Sequence, residues 1–142
     1  MVCRTKRFKY KILVIGMNSS YYGEIMKKAS KVWGHEEWIV NRDYCGKKLV
    51  LKKGFRCSMH HHKKKDETFY IIKGGVLMES DGKKKVMKPG DSIHIKPGCK
   101  HRFTGLKNSE IIEFSTHHED SDSYREELSG KIDLSKIEVE NE

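Results

Sequence analysis

Short apolar runs separated by turn residues fill this chain from residue 38 onward, and they limit its fold more than any other feature. Runs of about four to eight alternating residues predict β-strands, and Gly, Pro and Asp pairs between them predict turns. The clearest hairpin turn is Asp81-Gly82. Strands are expected at Trp38–Asn41, Lys47–Lys52, Arg56–His62, Glu67–Lys73, Val76–Ser80, Lys84–Lys88, Ser92–Ile95, His101–Thr104 and Glu110–Thr116. This pattern indicates an all-β sandwich or barrel, and 142 residues suffice for one such domain.

Both ends of the chain depart from the strand pattern. Residues 1–30 are expected to form an N-terminal arm, with a strand at Lys11–Ile15 and a short helix over Tyr22–Ser30. The barrel is expected over residues 31–125, followed by an acidic C-terminal tail over residues 126–142. The sequence leaves open whether this tail frays or packs as a strand at Lys136–Val139.

The charge of the chain bears on its partners. The formal net charge is +9, with lysine clusters at Lys63–Lys65 and Lys83–Lys85. Such a balance makes nucleic acid the first partner to consider. The clusters flank turns and strand ends, however, and no known nucleic-acid motif accompanies them. We therefore predict that they are solvated faces and that nucleic acid is not a partner.

The N-terminal apolar run and the cysteines bear on location. The run Ile12–Met17 is short for the core of a signal peptide, and it is far too short to span a bilayer. The four cysteines show neither CxxC spacing nor the density of a disulfide scaffold. We therefore predict a cytoplasmic protein with reduced thiols and no membrane partner.

Three consecutive histidines stand in the segment GFRCSMHHHKKKDETFYIIKG, which begins at Gly54. Successive side chains of a strand point to opposite faces, so His60 and His62 share one face while His61 lies on the other. Glu67 shares its strand face with the apolar residues Phe69 and Ile71 and is therefore expected to point inward. A buried carboxylate that faces two histidines needs a compensating charge, and a divalent cation supplies one.

This segment resembles the metal-binding motifs of the cupin family. The pattern Gly54-x5-His60-x-His62-x4-Glu67-x6-Gly74 matches the first cupin motif at every defined position. The stretch from Gly90 to His101 resembles the second motif, which ends with the final metal-binding histidine. Lys96 replaces a proline of that motif and Gly105 replaces a frequent asparagine, but neither change removes a ligand. The resemblance covers roughly residues 47–116.

The cupin resemblance implies a small barrel of the double-stranded β-helix, or jelly-roll, type. It also implies one divalent ion held by His60, His62, Glu67 and His101, although spacing alone would not bring His101 to the other three. Manganese is the expected ion, and Fe, Zn, Ni and Co suit the same ligands. The alternatives are a metal-free barrel and histidines that are merely exposed. His61 and His94 are not expected to be ligands, because their positions in the strands point away.

The flanking segments resemble a narrower group, the cupin sugar isomerases. KVWGHEEWIVN before the barrel and IIEFSTHHEDSDSYR after it are similar to D-lyxose isomerase and, more distantly, to the cupin domain of phosphomannose isomerases. The resemblance implies an enzyme that interconverts an aldose and a ketose, acting on a free sugar or a sugar phosphate. It also implies a homodimer. The rival hypotheses are an Fe-dependent cupin dioxygenase and a non-catalytic cupin that binds or senses carbohydrate.

Isomerisation through an enediol requires a base, and Glu113 is the first candidate. It lies in an apolar strand where a carboxylate is costly unless it is used or paired, although strand alternation leaves open whether Glu113 or Phe114 points inward. Lys52 is a second catalytic candidate, as a proton donor or an anion contact. Weaker candidates for contact with a sugar or its phosphate are Trp33, Trp38, Arg56, Lys65, Lys100 and Arg102.

Overall fold

The computed structural model describes residues 27–138, and nearly all of its regular structure is β-strand. Two short 3₁₀ helices lie at Asp120–Asp122 and Leu134–Lys136. The strands are β1 (Lys27–Lys31), β2 (Gly34–Asn41), β3 (Tyr44–Leu51), β4 (Phe55–Arg56), β5 (His60–His61), β6 (Glu67–Lys73), β7 (Val76–Ser80), β8 (Lys83–Met87), β9 (Ser92–Ile95), β10 (His101–Gly105), β11 (Ser109–Thr116), β12 (Tyr124–Arg125) and β13 (Gly130–Lys131). The predicted all-β class is confirmed. Within residues 27–138, no helix has the length and apolar character needed to cross a membrane.

The strands form two antiparallel sheets. The order in the first sheet is β1-β2-β3-β11-β6-β9, and the order in the second is β12-β5-β10-β4-β13, with β7 pairing β10 and β8. Neighbours such as β3 and β11 are far apart in the chain, which is the long-range pairing of a jelly roll. The predicted barrel is therefore confirmed in its topology.

Apolar side chains from both sheets meet in one core. Leu49, Ile71 and Ile111 enter from the first sheet, and Phe103 enters from the second. Trp33 packs edge-on against Phe103 with ring centroids 5.1 Å apart, which ties the start of the chain's second strand to the core. Burial of these side chains is the main stabilising contribution to a fold of this kind.

Two charged residues, Glu113 and Lys47, lie side by side on the inner face of the first sheet. The strand register places Glu113 opposite Lys47 on one side and opposite Phe69 on the other, and Lys47 lies opposite Trp38. Alternation then keeps Phe114, the neighbour of Glu113, on the outer face, where it is 57% exposed. The open question of which residue points inward is thus answered in favour of Glu113, which is buried.

The predicted turn at Asp81-Gly82 joins β7 and β8. Asp81 and Gly82 have φ angles of 46° and 77°, so both adopt the left-handed conformation that a tight two-residue hairpin requires. Steric contacts explain the glycine at the end of the motif that begins at Gly54. Gly74 has a φ of 92°, and a Cβ there would lie 2.3 Å from Ser109 Oγ and 2.5 Å from Asn108 O.

Several expectations for the ends of the chain require correction. The helix predicted over Tyr22–Ser30 is wrong from residue 27 onward, because Lys27–Lys31 pairs with β2 at the sheet edge and this pairing overrides local helical preference. The strand predicted at Lys11–Ile15 lies outside the described residues. Beyond residue 126, β13 pairs with β4 and a 3₁₀ helix follows, so the described part of Lys136–Val139 is not a strand.

Candidate metal centre

Three histidines converge at one end of the barrel. His60 on β5 lies directly opposite His101 on β10 in the antiparallel register, and their ring centroids are 4.4 Å apart. His62 follows β5, and its ring centroid lies 5.0 Å from that of His60. Each ring offers one nitrogen to a shared centre, and the three nitrogens all lie within 4.8 Å of one another. The register of β5 and β10 explains what sequence spacing left open, namely how His101 reaches the first motif.

The second nitrogen of each ring is held by the backbone. Every Nδ1 lies within hydrogen-bond distance of a carbonyl oxygen, and the pairs are His60 with Ser58 (2.8 Å), His62 with Asp122 (2.8 Å) and His101 with Cys99 (3.0 Å). A carbonyl oxygen only accepts, so these partners assign the proton to Nδ1 and leave a lone pair on Nε2. This tautomer is the one in which an imidazole binds a metal through Nε2.

Burial keeps two of the rings neutral. Burial, with a smaller effect of the neighbouring His101, lowers the pKa of His60 to about 3. Burial likewise lowers the pKa of His62, although the carboxylate of Glu67 partly opposes this change. A neutral imidazole at physiological pH is the form that coordinates a metal.

Glu67 completes a set of four donors. Its Oε2 lies 3.1 Å from His101 Nε2 and 3.6 Å from His62 Nε2. Both Glu67 Oε2 and His101 Nε2 are buried, and neither makes a hydrogen bond with the described residues. Two ligands about 2.1 Å from a shared ion and at right angles to each other would stand about 3.0 Å apart. The residues present therefore fit a divalent ion.

Lys65 links this ligand set to a second carboxylate. Its Nζ lies 2.5 Å from Glu67 Oε1 and 2.5 Å from Glu113 Oε1, and all three side chains are buried. Burial by itself lowers the pKa of the Lys65 ammonium, but the charges of Glu113 and Glu67 outweigh it, so the pKa lies above its ordinary value. Lys65 is thus a charged residue inside the site, and not the solvated lysine that the sequence suggested.

A second buried lysine lies beside Glu113. Lys47 Nζ is 3.1 Å from His118 Nδ1, 3.7 Å from Glu36 Oε2 and 4.0 Å from Glu113 Oε1. It also stands 4.0 Å above the centroid of the Trp38 ring, a cation–π contact. Neither Lys47 nor Glu36 was among the residues predicted from the sequence for this site.

Asp122 anchors the loop that carries Lys65. Its carboxylate accepts hydrogen bonds from three successive backbone amides, and the donors are Lys63, Lys64 and Lys65. Its backbone oxygen accepts the Nδ1 proton of His62. Asp122, in the 3₁₀ helix that follows β11, therefore positions both the candidate ligand His62 and the loop beside it. No motif in the sequence pointed to Asp122.

The structure does not bring every candidate residue to this site. Lys52 is exposed, its Nζ stands 5.7 Å from the Phe55 ring, and it does not line the cavity beside the histidines. His61 stacks on Tyr124 with centroids 5.1 Å apart, and His94 pairs with an aspartate on the surface. His61 and His94 therefore lie outside the cluster, as their strand positions predict. Trp33 lines the cavity, and Trp38 lies beneath the ammonium group of Lys47, which also lines it.

The three remaining basic candidates lie in ion pairs on the outside of the second sheet. Arg102 pairs with Glu79 and Glu127, and Arg56 lies 3.8 Å from Glu127. Lys100 pairs with another glutamate at 2.7 Å. The cavity itself has a volume of about 130 Å³, and its charged lining residues are Lys31, Glu36, Lys47, Lys65, Glu67, Glu113 and Arg125.

Comparison with known proteins supports one family. A family model described as Cupin domain matches residues 48–116. An uncharacterized protein of Methanocaldococcus jannaschii is 32% identical over 59 residues, which are 42% of this chain and 47% of that protein. Quercetin 2,3-dioxygenase of Bacillus subtilis is 35% identical over 51 residues, which are 36% of this chain and 15% of that enzyme. The matched region therefore spans less than half the length of either relative.

A solved structure shares the fold. An RmlC-like cupin from Shewanella frigidimarina superposes with a TM-score of 0.63 at 20% identity, over 70% of this chain and 91% of that one. The family match, the jelly-roll topology and the clustered histidines agree with one another. Residues 48–116 of this chain match the cupin domain family, and the fold that contains them is a cupin jelly roll.

Proposed function

We propose that this protein is a metal-dependent isomerase that interconverts an aldose and a ketose, acting on a free sugar or a sugar phosphate. The observation that carries the proposal is the bridge from Glu67 through Lys65 to Glu113. It sets a carboxylate that is not one of the four proposed ligands beside the metal centre, inside a polar cavity. An isomerase needs both a charge-stabilising centre and a base within reach of one substrate.

The ligands in this proposal are His60, His62, Glu67 and His101. A divalent ion held by them would stabilise the negative charge that develops on the oxygens of C1 and C2 during isomerisation. Three imidazoles and one carboxylate accept Mn, Fe, Zn, Ni or Co, and Mn is our first choice. The protein contributes rings that are fixed by backbone hydrogen bonds, so the donors need little reorganisation.

Glu113 is the base in this proposal. Its carboxylate removes the proton from C2 of the open-chain aldose and returns it to C1, while a hydroxyl proton passes from O2 to O1. The net change is a ketose of the same composition, so atoms and electrons balance. The Lys65 ammonium orients Glu113 through their hydrogen bond and donates to the substrate oxygens. Removal of Glu113 should therefore abolish turnover without removing a ligand.

The dioxygenase hypothesis has one observation in its favour, the similarity to quercetin 2,3-dioxygenase. The cavity argues for the isomerase instead. Its volume is about 130 Å³ and charged side chains line much of it, which suits a small polyhydroxylated compound better than a three-ring flavonol. A sugar offers many hydroxyl groups to such a lining, whereas an apolar ring would leave the charges without partners.

The test is a panel of aldoses incubated with Mn-loaded protein. Lyxose, mannose, ribose and their phosphates are followed for ketose formation and for uptake of solvent deuterium at C1 or C2, with and without oxygen. The proposal expects ketose, deuterium exchange and no need for oxygen. Oxygen consumption in proportion to substrate loss would establish the dioxygenase. Saturable sugar binding without exchange or product would establish a carbohydrate-binding protein.

A further inference from the structure

Among the cationic side chains that line the cavity, that of Arg125 has no carboxylate partner within the described residues. Lys65 and Lys47 lie near buried carboxylates, and Lys31 stands 3.5 Å from Glu36. Arg125 also lines the cavity, yet it makes no ion pair or side-chain hydrogen bond within residues 27–138. An arginine carries its charge at every physiological pH and presents a planar set of donors. Its guanidinium is therefore available to a ligand.

The fold presents Arg125 next to the metal centre. Arg125 belongs to β12, which pairs antiparallel with β5, and it lies directly opposite His60 in that register. Ser123 and Ser129 line the same cavity, and neither hydroxyl is hydrogen-bonded to any described residue. A guanidinium with two free hydroxyls beside it offers several donors in one place. These donors lie within residues 123–129, which line the cavity next to the candidate ligands.

The cavity lining carries more positive than negative charge. The buried carboxylates of Glu67 and Glu113 are matched by the buried ammonium groups of Lys65 and Lys47, whereas Arg125 is exposed. Four cationic side chains and three carboxylates line the cavity, before the charge of any metal ion is counted. The field of this lining therefore favours an anion.

We infer that the site takes a sugar with an anionic terminal group, a phosphate or a carboxylate, and that Arg125 binds this group. The inference rests on the proposed isomerase function, because the carbonyl end of the same sugar must lie against the histidines. Arginine recognises phosphate and carboxylate through paired, charge-assisted hydrogen bonds. Arg125 is thus a specificity-determining residue that distinguishes a charged sugar from its neutral parent.

The experiment measures binding, so that it does not depend on turnover. Calorimetry with the full Mn-loaded chain compares mannose 6-phosphate with mannose, and glucuronate with glucose. The wild-type protein should bind at least one anionic sugar about tenfold more tightly than its neutral parent, the order expected of charge-assisted hydrogen bonds. The two pairs show whether phosphate or carboxylate is the preferred group.

Three variants test whether Arg125 causes the preference for an anionic sugar. Arg125→Gln should lower the ratio of anionic to neutral affinity about tenfold, and Arg125→Lys should restore part of it. Lys85→Gln removes the same charge from an exposed position on β8 and should leave the ratio unchanged. Equal affinity of the wild type for charged and neutral sugars, or an undiminished ratio in Arg125→Gln, would overturn the inference. If the ratio depends on Arg125 but no ketose ever forms, the inference stands and the isomerase function fails.

Discussion

Glu67 Oε2 and His101 Nε2 lie 3.1 Å apart in the interior of the barrel, and neither atom has a hydrogen-bond partner among the described residues. The proton of His101 is on Nδ1, where the carbonyl of Cys99 accepts it. Two acceptors therefore face each other at 3.1 Å with no proton between them to form a hydrogen bond. A shared cation explains it, because both atoms then coordinate the same charge.

Glu113→Gln tests the assignment of the base. The amide keeps the size of the side chain but cannot take a proton, so turnover should fall at least about a hundredfold while bound metal stays at the wild-type level. Steady-state kinetics and metal analysis of the same samples give both values. Glu110→Gln, on the same strand but paired with Lys48 at the surface, is the matched control. Full activity in Glu113→Gln would remove Glu113 from the mechanism and leave the metal site untouched.

Lys65→Met tests the buried charge bridge. Without the ammonium, Glu67 and Glu113 are left buried without their counter-charge, so the free energy of unfolding should fall by about 3 kcal/mol or more in the presence of a chelator. Denaturant titration measures this change. Lys64→Met removes a neighbouring lysine whose side chain is 75% exposed, and it should cost less than about 1 kcal/mol. Similar losses for the two variants would contradict the bridge.

Asp122→Ala tests whether Asp122 positions His62 and the loop Lys63–Lys65 that follows it. The variant loses the acceptor for the three amides of Lys63–Lys65, so His62 and its loop should be held less firmly. We expect metal affinity to fall about tenfold to a hundredfold, the range for residues that orient ligands. Ser121→Ala, an exposed change in the same 3₁₀ helix, is the control. Wild-type metal affinity in Asp122→Ala would show that the anchor is only structural.

Glu79 predicts a pH dependence of stability outside the metal site. Burial raises its pKa, but the hydrogen bond and charge of Arg102 outweigh burial and hold the pKa below its ordinary value. A lowered pKa in the folded state stabilises the protein above about pH 4.3, the ordinary value for Glu, and this stabilisation is lost as the pH falls through the folded-state pKa. Unfolding of the wild type and Glu79→Gln should therefore differ most near neutral pH and converge in acid. A difference that does not change with pH would contradict this reading.

The barrel could be predicted from the sequence because it depends on regular alternation, whereas the position of His101 beside the other donors was expected only from the resemblance to the cupin motifs. Alternation along β3 also indicates that Lys47 points inward, because it shares its strand face with Leu49 and Leu51, which are both buried. An inward lysine on a core strand indicates a polar site. Lys65 and Asp122 had no such signal. They lie in loops, where no periodicity tells which side chain turns inward, and only the folded chain brings them together.

Lys52 was a catalytic candidate from the sequence, but its side chain does not line the cavity. A lysine at a strand end has no neighbour in the sequence that decides its direction, and here it turns outward over Phe55. The segment Lys27–Lys31 behaves similarly, because its partner strand decides its conformation and not its own composition. Residues whose state depends on long-range pairing are thus the ones that the sequence assigned least well.

The most direct test of the metal centre is the metal content of the native protein, purified without chelators and measured by plasma mass spectrometry. We predict about one divalent transition-metal ion per chain in the wild type. His62→Ala should lose it, whereas His94→Ala, whose side chain is 50% exposed at the surface, should keep it. A wild-type protein that holds no such ion and binds none when supplied with Mn, Fe or Zn would contradict the account.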